Sequence, residues 1–323
     1  MMDPGMGPSR ARTESLRAAI VVCTRDRASM LHEALRALRR AVPEDGEIVV
    51  VDSGSRDDRT RRVAELEGVR YVRSDVPGLS IARNAGLRAT DGDIVVFTDD
   101  DAAVDPGFLA PLLHAFDAPA VAAATGSLHD IDAPRAASTT GTAILSRPAD
   151  GLDAGHGALM AFRRTTILDA GGFDPVLGAG RRFGGAEDMD AFCRLLLQGH
   201  EIARVPASVV THRHTREDDD YIALNTGYGL GMGALCAKLL RTAGWRGATV
   251  AGVVLRRGLV RYARRIRSRR TRRGQGAFLR GVFRGLLAAW RMPIRDHVFV
   301  DAAPPAPVLI DAAGRARPEE SRE

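Results

Sequence analysis

The segment Ile94-Val95-Val96-Phe97-Thr98-Asp99-Asp100-Asp101 constrains this chain more than any other. Its apolar run of β-branched and aromatic residues is too short for a buried helix and predicts a fully buried strand. The strand stops in three adjacent carboxylates. A divalent cation would relieve their mutual repulsion, and hard oxygen ligands suit Mg²⁺ or Mn²⁺. In an open parallel sheet the carboxyl ends of the strands are also where ligands bind. Three acids equally fit a solvated turn, so the surrounding segments have to decide.

Those segments alternate between strand and helix periodicity. Residues 18–23 form an apolar run, and Asp26 is placed to cap a helix carrying Met30, Leu31, Ala34, Leu35 and Leu38. Residues 48–51 predict a second strand, which ends in Asp52-Ser53-Gly54-Ser55. A further helix (58–66) and strand (69–72) precede Pro77-Gly78-Leu79-Ser80, where Ser80 reads as the cap of a short helix bearing Arg83 and Asn84. This order predicts a parallel α/β sheet with nucleotide-binding topology.

The second half is less regular. Residues 121–126 read as a strand, 158–162 are a short apolar run, and 127–157 resist assignment. The glycine-rich stretch 173–185 suits a loop that orders over a ligand. A helix is expected to open at Glu187-Asp188-Met189-Asp190 and to stop at Gly199. Short strands at 202–205 and 209–211 then lead into His212-Arg213-His214.

With 45% hydrophobic and 27% charged residues, 323 residues can bury a sizeable core. Cys23, Cys193 and Cys236 lack metal-ligand spacing and read as packed thiols in a reducing compartment. No run approaches the roughly 18 apolar residues of a membrane span. The polar stretch 1–17 reads as a disordered leader rather than a secretory signal. Together these predict a cytoplasmic protein.

The net charge of +6 conceals an asymmetry: residues 238–295 hold 17 basic residues and no acidic one, leaving 29 basic against 40 acidic residues elsewhere. Residues 250–266 and 277–290 interleave Arg with Val, Leu, Phe and Trp, the pattern of interfacial amphipathic helices, and predict attachment to an anionic membrane surface at the inner face of the cell membrane. Packing of the same arm onto the body is the competing reading. Nucleic acid is not an expected partner, because the arm carries no recognisable binding module and the body is acidic.

Taken in order, Val21-Val22-Cys23-Thr24-Arg25-Asp26-Arg27, Val51-Asp52-Ser53-Gly54-Ser55, Gly78-Leu79-Ser80-Ile81-Ala82-Arg83-Asn84, Thr98-Asp99-Asp100-Asp101, Gly171-Gly172-Phe173-Asp174, Gly185-Ala186-Glu187-Asp188 and His212 resemble the family 2 glycosyltransferases. These are inverting sugar transferases of the GT-A fold, a Rossmann-like, mostly parallel sheet flanked by helices. The resemblance implies a catalytic domain over 18–216, its nucleotide-sugar-binding half at 18–126 and its acceptor-binding half at 127–216. A basic helical extension (217–297) and a flexible tail (298–323) would follow.

The resemblance also implies roles. Asp101, with Asp99, would ligate Mn²⁺ or Mg²⁺, and His212 would be the distal ligand, with His214 competing for that place. Thr24, Arg25, Asp52, Arg83, Asp99 and Asp100 would bind the nucleotide-sugar, Asp52 by reading the base. Asp188 would be the general base towards a glycan, lipid-linked or small-molecule acceptor, with Glu187 supporting it and Asp190 only capping the helix. Ala158 stands where relatives often carry a polar residue. The usual acceptor-stacking aromatic after the Glu-Asp pair is missing, and Phe173 or Phe183 would substitute. Competing functions are a sugar-phosphate nucleotidyltransferase, a retaining transferase, or an inactive nucleotide-sugar-binding assembly subunit. The nucleotidyltransferase is disfavoured because Thr24-Arg25-Asp26-Arg27 contains no glycine.

Overall fold

The computed structural model describes residues 16–131, 141–212 and 221–317. Most of the leader and His214 lie outside the described residues. Four parallel strands form one side of a large sheet: β1 (Ala18–Thr24), β2 (Glu47–Ser53), β3 (Arg70–Ser74) and β4 (Ile94–Asp99), in the spatial order β3-β2-β1-β4. Helices α1 (Ala28–Ala41), α2 (Arg59–Leu66) and α3 (Leu79–Ala89) make the crossovers. β1, β2 and β4 are apolar on both faces because helices cover both, as a parallel sheet requires.

Beyond β4 the sheet becomes mixed. A short β5 (Ala102–Val104), α4 (Leu109–His114), β6 (Val121–Asp130), β7 (Ala143–Leu145), β8 (Leu159–Arg163), α5 (Arg164–Asp169), α6 (Glu187–Leu197) and β9 (Glu201–His212) follow. β8 pairs antiparallel with both β4 and β6, while β6 and β9 run parallel. The two short strands expected at 202–205 and 209–211 are one strand, whose register against β6 shifts between Thr125 and Ser127. That irregularity lets the chain pass Pro206, which has no N–H for a ladder.

The extension consists of α7 (Tyr221–Arg264) and α8 (Arg269–Ala289). At Gly244 (φ 53°, ψ −126°) α7 folds back, and Gly247 comes to lie against the carbonyl of Leu239. Glycine at alternate positions serves two faces. Gly231 packs on the backbone of Gly185, whereas Gly229 and Gly233 pack on α8 at Phe278 and Val282. A Cβ at Gly231 would stand 2.1 Å from the Gly185 carbonyl oxygen.

The extension and the segment after it both make contacts with the body. Part of the basic arm points inward: Lys238 is buried, Arg241 and Arg246 donate to the carbonyls of Met292 and Leu197, and Arg257 pairs with Asp153. The tail is not free from residue 298 onwards. After β10 (Ile294–Arg295) and β11 (Val298–Phe299) the chain runs back across the first half of the sheet. Val308 exchanges hydrogen bonds with the Asp75 carbonyl and the Arg73 guanidinium, and the Gly314 carbonyl accepts from the Asp58 N–H. Pro304, Pro305 and Pro307 exclude a helix there, not an ordered extended strap.

Two helix caps also differ. Asp26 sits at φ +56° and accepts the Arg56 N–H instead of capping α1, and Ser80 donates to the Leu177 carbonyl.

The glycines separate packing from propensity. Gly252, in α7 with nothing within 4 Å of an added Cβ, should gain about 1 kcal/mol on Gly252→Ala. Gly231→Ala, overpacked against Gly185, should lose about 1–3 kcal/mol. Thermal unfolding of the two variants should therefore show Tm moving in opposite directions.

Candidate active site

The acid cluster is assembled by strand pairing. β5 continues the chain directly after Asp101 and pairs antiparallel with β9, putting Ala102 opposite His212. The His212 Nε2 lies 3.5 Å from Asp101 Oδ1 and 3.9 Å from Asp99 Oδ2. One ligand atom from each of Asp99, Asp101 and His212 falls within 4.8 Å of the others, a spacing that fits a single cation. Two carboxylate oxygens and an imidazole nitrogen suit Mn²⁺, and Mg²⁺ less well.

Asp100 behaves differently from its neighbours. Its side chain turns inward, where Oδ2 accepts from the Thr24 hydroxyl at 2.6 Å and Oδ1 from Arg27 at 3.1 Å. Burial raises its pKa, and the Thr24 hydrogen bond and the Arg27 charge offset only part of that. Asp100 therefore braces the β1–α1 loop against the acid turn instead of facing a ligand. Arg25 borders the same loop. Its Nε is enclosed without a hydrogen-bond partner among the described residues and lies 3.8 Å from Asp26.

Asp52 is enclosed as well. Oδ1 accepts the Ser55 N–H at 2.8 Å, and Oδ2 accepts from Tyr71 at 2.8 Å and Arg73 at 3.1 Å. With no side-chain exposure it holds the turn after β2. Reading a base with this carboxylate would require Arg73 or Tyr71 to give way.

Arg83 joins the two sides of the site. Almost wholly buried on α3, it contacts Glu187 Oε1 at 3.0 Å and approaches Asp99 Oδ1 at 3.9 Å. Its guanidinium lies 5.4 Å from the centroid of the Phe173 ring. The next residue, Asn84, exchanges two hydrogen bonds with the backbone of Phe173, at 2.7 and 2.8 Å. The Arg-Asn pair and the Gly-Gly-Phe-Asp turn are thus one contact. A Cβ at Gly157 would meet Arg83 Nη2 at 2.8 Å and displace the guanidinium, and the glycine also borders Asp188 Oδ2.

Glu187 and Asp188 open α6 immediately after Ala186, a non-glycine residue in the left-handed region at φ +68°. Such a backbone costs about 1–2 kcal/mol and persists only where packing holds it. Burial raises the Glu187 pKa and neighbouring Asp188 adds to the rise, with Arg83 opposing both. Asp188 is half-buried, and its Oδ1 accepts the Met189 N–H at 2.7 Å.

Phe173 and Phe183 are fully buried in the core and cannot stack on an acceptor. Tyr228, missed by sequence reasoning, packs beside Gly185 from α7 and stays 45% exposed. Only its place on a helix distant in sequence concealed it.

A family model described as Glycosyl transferase family 2 matches residues 19–164. Over those residues, a little under half of its length, the chain is similar to this family. It is 29% identical over 244 residues to the pre-mycofactocin glycosyltransferase of Mycobacterium tuberculosis, covering 70% of this chain and 48% of the relative. The chain therefore spans about half the length of that relative. It is 23% identical over 218 residues to the O-antigen chain rhamnosyltransferase RfbN of Salmonella typhimurium, covering 62% of this chain and 67% of the relative.

Among solved structures, the fold matches the mannosyltransferase PcManGT of Pyrobaculum calidifontis in complex with GDP-Man and Mn²⁺. The TM-score is 0.59 at 21% identity, over 85% of this chain and 88% of that one. S. aureus TarS residues 1–349 match at TM-score 0.58 and 15% identity, over 85% of this chain and 83% of that one. The fold of this chain is GT-A. The family match ends before Glu187, Asp188 and His212, so the local geometry carries those positions.

Mn²⁺ is expected to raise the Tm of the wild-type chain, by about 2.7 kcal/mol of stabilisation at a hundredfold excess over Kd. Differential scanning fluorimetry should show that rise lost in Asp101→Asn and strongly reduced in His212→Ala.

Proposed function

We propose that this chain transfers a sugar, with inversion, from a nucleotide diphosphate donor to a hydroxyl of a glycan, lipid-linked or small-molecule acceptor. The observation that carries the reading is Arg83, which joins the metal-type cluster at Asp99 to the acidic helix start at Glu187. The ligands of two similar structures support the donor class: the mannosyltransferase complex holds GDP-Man and Mn²⁺, and a complex of GalNAc-T7 holds UDP, GalNAc and Mn²⁺.

In this reading Asp99, Asp101 and His212 would hold a divalent cation, which when bound would supply positive charge against the departing diphosphate. Thr24 and Arg25 line the nucleotide side, and Arg83 supplies a fixed positive charge beside the diphosphate. Asp188 accepts the proton of the acceptor hydroxyl as its oxygen bonds to the anomeric carbon from the face opposite the leaving group. Glu187 pairs with Arg83 and keeps the start of α6 in place. Tyr228 offers the acceptor an aromatic face.

Asp188→Asn tests the assignment. It should lower turnover at least about a hundredfold while leaving donor affinity unchanged, measured as nucleoside diphosphate release and calorimetric binding across UDP-, dTDP- and GDP-sugars. Anomeric analysis of the product checks inversion.

The outer helices support a membrane-side placement. Among the described residues no helix is long and apolar enough to cross a membrane. Trp245, Leu255, Phe283 and Trp290 are nevertheless exposed, at 77, 54, 64 and 45%, on helices whose charges are all arginine apart from buried Lys238. Such faces gain roughly 1 kcal/mol per basic residue beside anionic headgroups. Sedimentation with vesicles should show binding to phosphatidylglycerol, none to phosphatidylcholine, and loss on Phe283→Ser combined with Arg284→Ser. Equal binding to both lipids, or to neither, counts against a membrane partner.

A further inference from the structure

Lys238 is the single lysine of the chain, and it lies wholly inside the molecule. Its Nζ is 2.6 Å from Asp174 Oδ2, 2.6 Å from Asp190 Oδ1 and 5.3 Å from the Phe299 ring centroid. The other carboxylate oxygen of Asp190 accepts Arg194 Nε at 2.9 Å, and Arg194 also donates to the carbonyls of Ala170 and Gly172. Asp174 Oδ2 accepts the Phe299 N–H at 2.9 Å as well. Two acids and two cations are therefore sealed together with no net charge. They join α7, α6, the Gly-Gly-Phe-Asp turn and the C-terminal segment.

We propose that Lys238 is a positioning residue for the reaction: from the C-terminal extension it fixes the first turn of α6, and with it the carboxylate of Asp188. The proposal rests on the assignment of Asp188 as general base.

Asp190 lies two residues beyond Asp188 on the same helical turn, so holding one restricts where the other can point. Two further contacts from α7 reach the same place. Gly231 packs on Gly185, and Ala186 shares an apolar cluster with Leu235, Cys236 and Leu239. The left-handed backbone of Ala186 leaves α6 no relaxed way to begin on its own. Without the ammonium, Asp174 and Asp190 would face each other across a dry interior with Arg194 as their one cation, and the start of α6 would move to separate them. A displacement near 1 Å at a catalytic carboxylate can cost about a hundredfold in rate.

A purely stabilising cluster would protect folding without tuning the reaction, and kinetics on variants of the full chain separate the two. The set comprises Lys238→Met, Lys238→Arg, the charge-balanced Lys238→Met with Asp190→Asn, and Asp188→Asn as reference. Each is assayed with Mn²⁺ and UDP-, dTDP- and GDP-sugars for donor affinity, turnover and melting. The charge-balanced variant is included because Lys238→Met alone can fail to fold.

The expected result is a folded double variant with unchanged donor affinity and kcat lowered by about a hundredfold, with Lys238→Arg recovering part of the loss. Wild-type kcat in the folded double variant overturns the proposal, as does a parallel fall of donor affinity, kcat and Tm. If Asp188→Asn keeps full turnover, the base assignment itself fails, whatever the Lys238 variants do.

Discussion

Three carboxylates at the end of one strand cannot share one environment, because each raises the cost of ionising the next. The fold separates them. Asp100 is drawn back onto Thr24 and Arg27, while Asp99 and Asp101 converge on His212, and Asp99 also lies near Arg83. One acid is committed to the β1–α1 loop, and the other two stand beside an imidazole. The placement of β5 and β9, the close approach of α3 and the burial of Arg83 all serve that separation.

Arg83 then transmits the arrangement to the opposite side. A buried guanidinium is a planar fork that can be fixed by several partners at once. Here it takes Glu187, Asp99 and the face of Phe173. Asn84 clamps the backbone under that ring. Motifs far apart in sequence thus form one connected assembly between the acid cluster at Asp99 and the start of α6. The extension completes it from below, since Lys238 and the glycine face of α7 hold the segment that leads into Asp188.

Local patterns made much of this legible. The apolar strand before Asp99, the alternation of helix and strand through residue 101 and the glycines around Gly171 and Gly185 follow from side-chain chemistry within a few residues. Partner choice is different, because it depends on atoms brought together from afar. Asp52 looked open at a strand end, yet Tyr71 and Arg73 close over it. Lys238 looked like one more charge of a basic arm, and it became the buried counterion of two acids. The strap over Asp58 and Asp75 was hidden because prolines signal the absence of helix and say nothing of backbone partners further along the chain.

By itself the sequence determined the α/β class and which acids close the fourth strand and open α6, because strand burial and the order of short motifs are local properties. Tertiary structure alone decided which acids face outward, which arginines turn inward and that the extension belongs to the body. Those outcomes depend on desolvation, and whether a charge is stable depends on what surrounds it in space rather than along the chain.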